Sequence, residues 1–258
     1  MKDDKQTNHS IQHRKIIIGI VLVVLLAVII VAVWMVRENQ KKEEPKKSTA
    51  KVIRMKQPES KKKDVENPID FAALQAQNPD IYAWIRIPDT KVDYPIVQHP
   101  TDDIFYLNHN VNKEPLASGA LYTELLNRKD FTDFNTVIYG HNMQDAERIM
   151  FACLLDYSDP AYFDAHREFF VYTPDQILKY KVFTAYETTD RHIMYSYDFH
   201  SPDSYQQYLN ELLNPVEQGA IIRNDVNLGI DKQIITLSTC VNGDRPDRRY
   251  VVQAVRME

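Results

Sequence analysis

Glycine is scarce in this chain. Its 258 residues hold six, Gly19, Gly119, Gly140, Gly219, Gly229 and Gly243, no two closer than ten positions. That spacing excludes a GxGxxG dinucleotide loop, a GxxxxGK phosphate loop and a GxSxG nucleophile elbow, each of which needs paired glycines. Cysteine is scarcer still, with Cys153 and Cys240 alone. Two cannot build a Cys-rich zinc module or a disulfide framework. Basic charge is also lacking where a nucleic-acid-binding domain would need it. Residues 64–258 carry 16 Lys and Arg against 30 Asp and Glu, a net of −14, which argues against nucleic acid as a partner.

The first 63 residues have the opposite character, 15 Lys and Arg against 6 Asp and Glu, a net of +9. Within them, residues 16–36 read IIIGIVLVVLLAVIIVAVWMV, 21 residues without a charge. As a helix this run is about 31 Å long, the hydrocarbon thickness of a bilayer, and Trp34 sits where an interfacial aromatic belongs. A cleaved signal peptide has a shorter apolar core and an A-x-A-like site, neither of which is present. The expectation is a retained transmembrane anchor at 16–36, behind a tail at 1–15. A basic linker follows at 37–65, either a solvated stalk or a stretch lying against anionic headgroups. Orientation is undecided by charge alone. Arg14 and Lys15 flank one side, and Arg37, Lys41, Lys42, Lys46 and Lys47 the other.

Residues 66–258, roughly 190 in number, are enough for one independent core. Short β-branched or aromatic runs, separated by Pro, Asp and Asn turn signals, predict strands at 83–87, 92–97, 119–123, 136–139, 169–172, 180–186, 234–240 and 250–255. Eight short strands over this length predict a mainly β fold, a closed or nearly closed barrel. Helices are predicted at 69–77, at 146–157, where apolar side chains fall at i, i+3, i+4 and i+7, and at 202–214. The last opens with a Ser201 cap and Pro202 at the first helical position.

Of the two cysteines, Cys153 lies on the apolar stripe of the predicted 146–157 helix and reads as a small buried hydrophobe. Cys240 closes the strand Ile234–Cys240 and faces the turn-rich Val241-Asn242-Gly243-Asp244. A thiol there is placed to meet a substrate. His141 has the same kind of address, following a strand and the breaker Gly140. Arg249 begins the last strand, directly after the loop that starts at Cys240, and a hairpin would set its guanidinium beside the thiol. Arg248 and Arg245 compete for that role. Strand alternation puts Arg248 and Arg249 on opposite faces, so one of the two points at Cys240. Ser238 alternates onto the Cys240 face, which makes it a candidate substrate contact.

Thr236-Leu237-Ser238-Thr239-Cys240 resembles the TLxTC signature of sortases, and Tyr139-Gly140-His141-Asn142 resembles their histidine segment. The order His, Cys, then Arg agrees, and the resemblance covers residues 66–258. The helix between the sixth and seventh predicted strands, the N-terminal helix before Trp84 and the run Val92-Asp93-Tyr94-Pro95-Ile96-Val97-Gln98 resemble class B members.

The resemblance implies an eight-stranded sortase-type barrel, with an N-terminal helix and helices inserted between strands, behind a transmembrane helix. It implies a membrane-anchored cysteine transpeptidase. Such an enzyme cleaves a C-terminal sorting motif of secreted proteins, of the Asn-Pro-x-Thr type in class B, and joins the new carboxyl end to a cell-wall peptide amine. Catalysis would fall to Cys240 as nucleophile, His141 as acid and base, and Arg249 at the carbonyl oxygen. Leu107, Ile193 and Tyr195 would line the peptide groove with Ser238. No cofactor or metal is implied. The barrel would lie outside the cell and residues 1–15 inside. The amine acceptor, a lipid-linked wall precursor or a pilin lysine, stays open. Papain-like peptidases place Cys before His, and L,D-transpeptidases favour Gly where Thr239 stands. A catalytically silent anchored binding module is the remaining rival.

Overall fold

The computed structural model describes residues 67–258, apart from 145–146, 215–218 and 243–244. The tail at 1–15, the anchor at 16–36 and the linker at 37–65 lie outside the described residues. Among the described residues no helix is long and apolar enough to cross a membrane.

Helix α1 (Phe71–Gln77) is started by Asp70, whose Oδ1 accepts from the Ala73 amide at 3.0 Å, and it buries Phe71. The strands follow as β1 (Ile81–Arg86), β2 (Asp93–Val97), β3 (Leu121–Tyr122), β4 (Asn135–Tyr139), β5 (Glu168–Tyr172), β6 (Ile177–Thr189), β7 (Ile221–Ile222), β8 (Ile234–Cys240) and β9 (Arg248–Arg256). They pair in the order β5-β1-β2-β3-β4-β8-β9-β6-β7, and β5 also pairs with β6. The β5–β6 ladder closes eight strands into a ring. The two-residue β7 hangs on the far half of β6, at Thr184 and Ala185. Such a short strand carries no alternation to read, and no sequence signal announced it.

Alternation sorts the side chains into two layers. Ile85, Ile96, Ile138, Phe169, Val182, Ile235, Leu237, Val252 and Ala254 turn inward and form the barrel core with Phe151, Leu154 and Tyr157. Helix α4 (Pro202–Leu213), capped by Ser201 as its sequence predicts, lies on the outer face. It buries Tyr205, Tyr208, Leu209 and Leu212 against Phe183, Ile234, Val251 and Val255. Each such side chain contributes about 2 kcal/mol on burial. Beneath it the Gln253 amide nitrogen donates to Tyr208 Oη at 2.6 Å and to Thr236 Oγ1 at 2.8 Å. Thr236 in turn donates to Asn135 Oδ1 at 2.9 Å. These buried polar groups are hydrogen-bonded among themselves and fix the helix in register on the sheet.

The predicted helix at 146–157 is corrected. Its described part is irregular as far as Phe151, and a 3₁₀ segment then runs from Ala152 to Ser158. Arg148 and Met150 have φ of 48° and 57°, outside the right-handed helical region. The Phe151 amide donates to the His141 carbonyl at 2.9 Å and Met150 bridges to Asn142, so the segment folds back on the histidine loop instead of continuing a helix. The apolar stripe is nonetheless buried at Met150, Cys153, Leu154 and Tyr157. A spacing of i, i+3 suits a 3₁₀ turn as well as an α-helix. A second departure is the strand expected at 119–123, of which 121–122 pair. Gly119 has φ +56°, and a Cβ there would lie 2.4 Å from the Tyr106 carbonyl oxygen, so it makes a turn that only glycine fits. Helix α2 (Pro160–Ala165), capped by Asp159 with Pro160 at its first position, was not anticipated although its start signal is plain. Helix α3 (Ile193–Ser196) is a single turn.

Candidate functional site

Three strands bring together the residues that the sequence left far apart. Strands β4 and β8 run parallel with Tyr139 opposite Ser238, so both chains leave the sheet at the same end. The ladder continues one step beyond β4, where the Gly140 amide donates to the Ser238 carbonyl at 3.1 Å. His141 and Cys240 each lie two residues past that pair, and both therefore share the outer-face parity of Tyr139 and Ser238. Strand β9 returns antiparallel with Arg249 directly opposite Cys240. Thr239 turns the other way and is buried.

The side chains meet in a groove of about 240 Å³ lined by His141, Cys240, Arg249, Ser238, Leu107 and Ile193, with Tyr122 and Tyr139 among its walls. Cys240 is exposed and Cys153 is buried. Burial pushes the Cys153 thiol above its usual range, which keeps it the inert protonated form. Of the seven side chains singled out in the sequence, Tyr195 alone is outside the groove lining. It is 72% exposed, and its ring sits 4.3 Å from that of His192.

Two of the three central groups are oriented by neighbouring carbonyls. His141 Nε2–H donates to the Leu107 carbonyl at 2.7 Å. That bond holds a proton on Nε2, so Nδ1 is the nitrogen whose proton can come and go. The Arg249 Nη1 donates to the carbonyls of Pro246 and Arg248 at 2.7 and 2.8 Å, which steadies the guanidinium in the groove. Arg248 and Arg245 are engaged elsewhere, donating to Glu187 Oε1 at 2.9 and 2.7 Å. Burial opposes the Glu187 charge, yet those two guanidinium groups hold its carboxyl below the usual range. Register parity thus selects Arg249 and turns its neighbours away.

Sequence reasoning missed Asn142. Its Nδ2 donates to the Cys240 carbonyl at 2.9 Å and to Asn242 Oδ1 at 2.8 Å, and Gln144 Nε2 donates to Asn142 Oδ1 at 2.6 Å and the Ala152 carbonyl at 3.0 Å. The residue after His141 therefore stitches the histidine loop to the cysteine loop. Its place beside His141 was the only signal available. The Tyr122 and Tyr139 rings stack at 5.4 Å, and burial raises both phenols above their ordinary range, so they stay neutral. Among the described residues no group of three or more His, Cys, Asp or Glu is arranged to hold a metal ion.

Gly140 lets the chain pass between β4 and the His141 loop. A Cβ there would lie 2.3 Å from Leu121 Cδ2 and 2.6 Å from Phe151 Cδ2, both side chains in the barrel core. Gly140→Ala is expected to overpack this junction at a cost of about 2 kcal/mol, a fall of about 6 °C in Tm by scanning calorimetry. An unchanged Tm would show that the junction absorbs a methyl group.

An exposed thiol, an imidazole and a guanidinium around one groove can capture an acyl group, shuttle a proton and neutralise a developing oxyanion. Comparison with known proteins points the same way. The family model of the sortase domain matches residues 85–257. Sortase B of Listeria monocytogenes is 35% identical over 181 residues, 70% of this chain and 71% of that protein. Sortase B of Staphylococcus aureus is 32% identical over 187 residues, 71% of this chain and 73% of that protein. The solved Staphylococcus aureus sortase B–substrate complex superposes with a TM-score of 0.64 at 30% identity, covering 73% of this chain and 84% of that one.

Proposed function

We propose, since the chain belongs to the sortase family and is a class B cysteine transpeptidase, that it cleaves an Asn-Pro-x-Thr-type motif near the C-terminus of secreted proteins and joins the new carboxyl end to a cell-wall peptide amine. One observation carries the assignment of residues: the register that sets Arg249 opposite Cys240 and runs His141 and Cys240 off the same end of parallel strands.

In the first half-reaction the Cys240 thiolate attacks the carbonyl carbon of the motif's threonine. The tetrahedral oxyanion is met by the Arg249 guanidinium. As it collapses, the C–N bond breaks, the thioester forms, and His141 gives its Nδ1 proton to the departing amine. In the second, the acceptor amine attacks the thioester, His141 takes back a proton, and the thiolate leaves. Ser238, Leu107 and Ile193 supply the groove in which the peptide lies, and the exposed Tyr195 supplies a contact at its outer edge. The chemistry needs no metal or cofactor, because the thiol and two cations suffice for acyl transfer.

Residues 16–36 act as the single-pass anchor, with residues 1–15 on the cytoplasmic side and the barrel outside. The uncharged run has the length of a bilayer core, and secreted substrates meet wall amines beyond the membrane.

The test is cleavage of a fluorophore- and quencher-tagged Asn-Pro-x-Thr peptide by the full chain, with and without triglycine as amine. The expected products are cleavage after threonine and, with the amine, a ligated peptide. Cleavage of a Leu-Pro-x-Thr peptide in preference to it would overturn the motif assignment. Absence of any acyl-enzyme with either peptide, by mass spectrometry, would overturn the catalytic one.

A further inference from the structure

The segment leaving β6 crosses the outer face of the sheet as a strap. Thr189 still pairs with Arg248 of β9, and the Asp190 amide donates to the Asp247 carbonyl at 2.8 Å. Three residues after Thr189, His192 has reached Glu124, which follows β3, four strands from β6 in the sheet order. His192 Nε2 lies 2.7 Å from Glu124 Oε2. Residues 188–193 of this strap line the groove beside Cys240. The strap thus starts on one side of the groove and is moored on the other by one side-chain pair.

On the α4 side the tip is tied through the Tyr197 hydroxyl, which donates to Glu211. Helix α3, which follows, has no buried residue. Ile193, Met194 and Tyr197 rest, partly buried, on the cluster beneath α4. The His192 ring lies between Tyr195 and Tyr139, at 4.3 and 6.4 Å, and its Nδ1 is buried with no hydrogen-bond partner among the described residues. All of the imidazole's hydrogen bonding therefore passes through Glu124. The Glu124 side chain is only 13% exposed. Burial pushes its carboxyl up, aided by the like charge of Asp103, while His192 and the Tyr139 hydroxyl pull it down. Desolvation thus outweighs what His192 contributes through its charge and its hydrogen bond, and the carboxyl stays above its usual range. Arg191, also on the strap, is turned to the Tyr197 hydroxyl.

We propose that Glu124 and His192 are a positioning pair that moors the strap across the groove, and so determine how tightly the peptide is held without taking part in acyl transfer. The inference rests on the reading of the groove as the peptide site. Losing a buried hydrogen bond of this kind weakens binding about tenfold.

The test uses the full chain and the tagged Asn-Pro-x-Thr peptide. Glu124→Ala and His192→Ala are each expected to raise KM about tenfold with kcat within about twofold, and the double variant to add nothing further. Glu124→Gln, whose amide oxygen still accepts from Nε2–H, is expected to restore KM to within about twofold of the parent. A peptide-free arm measures amide hydrogen exchange, expected to quicken about tenfold at 188–193 in Glu124→Ala while 234–240 is unchanged. Unaltered KM and exchange would overturn the mooring. A fall in kcat together with faster exchange at 234–240 would overturn it as well, as general loosening of the barrel. If the parent chain leaves the peptide intact, the substrate reading fails alone, and the exchange arm decides the mooring.

Discussion

Cys240→Ala abolishes cleavage of the Asn-Pro-x-Thr peptide, a loss of at least about 10³-fold, because no thioester can form without the sulfur. The same substitution at the other cysteine is the control. Cys153 lies in the barrel core, its thiol pushed up by burial, so Cys153→Ala keeps its turnover. It loses about 1 kcal/mol of stability to the small cavity it leaves. Two measurements check this pair, steady-state cleavage by chromatography and intact mass after exposure to a thiol-specific alkylating agent. A single adduct that vanishes in Cys240→Ala and persists in Cys153→Ala is the expected pattern. Turnover surviving in Cys240→Ala would end the assignment of the nucleophile.

Arg249→Ala lowers kcat about 10²- to 10³-fold, the usual effect of removing one donor to an oxyanion. Arg248→Ala stays within a few-fold of the parent. The contrast is informative because the two residues are adjacent, share their chemistry and differ only in face. Arg249 stands opposite Cys240 and lines the groove, whereas Arg248 donates to Glu187, which Arg245 also holds. A general electrostatic role for positive charge near the thiol would make the two variants alike. Equal kcat values in single-turnover cleavage would therefore sink the assignment of Arg249.

Much of this molecule was legible before folding. The span Ile234–Cys240 was readable to the residue, because an apolar β-branched run ends abruptly at turn-forming residues. Helix α4 was announced by Ser201-Pro202 and its apolar face. Other elements were illegible for identifiable reasons. The stretch up to Phe151 has helical spacing, but its hydrogen bond to the His141 carbonyl imposes a different path. Tyr195 lies in the expected segment, yet α3 turns it to solvent while Ile193 enters the groove lining.

Sequence alone supplied the candidates for the chemistry, since a strand-terminal thiol, a loop histidine and a following arginine appear in it as residue types at readable strand ends. It also determined the β-rich class, because alternation and turn residues are local properties. Which arginine faces the sulfur, which residues stitch the loops and how the strap reaches Glu124 were decided by tertiary structure. These are matters of register and of distance between strands remote in the chain. A one-residue slip of β9 would turn Arg249 from the groove and bring Arg248 in. Only closure of the whole barrel holds that register.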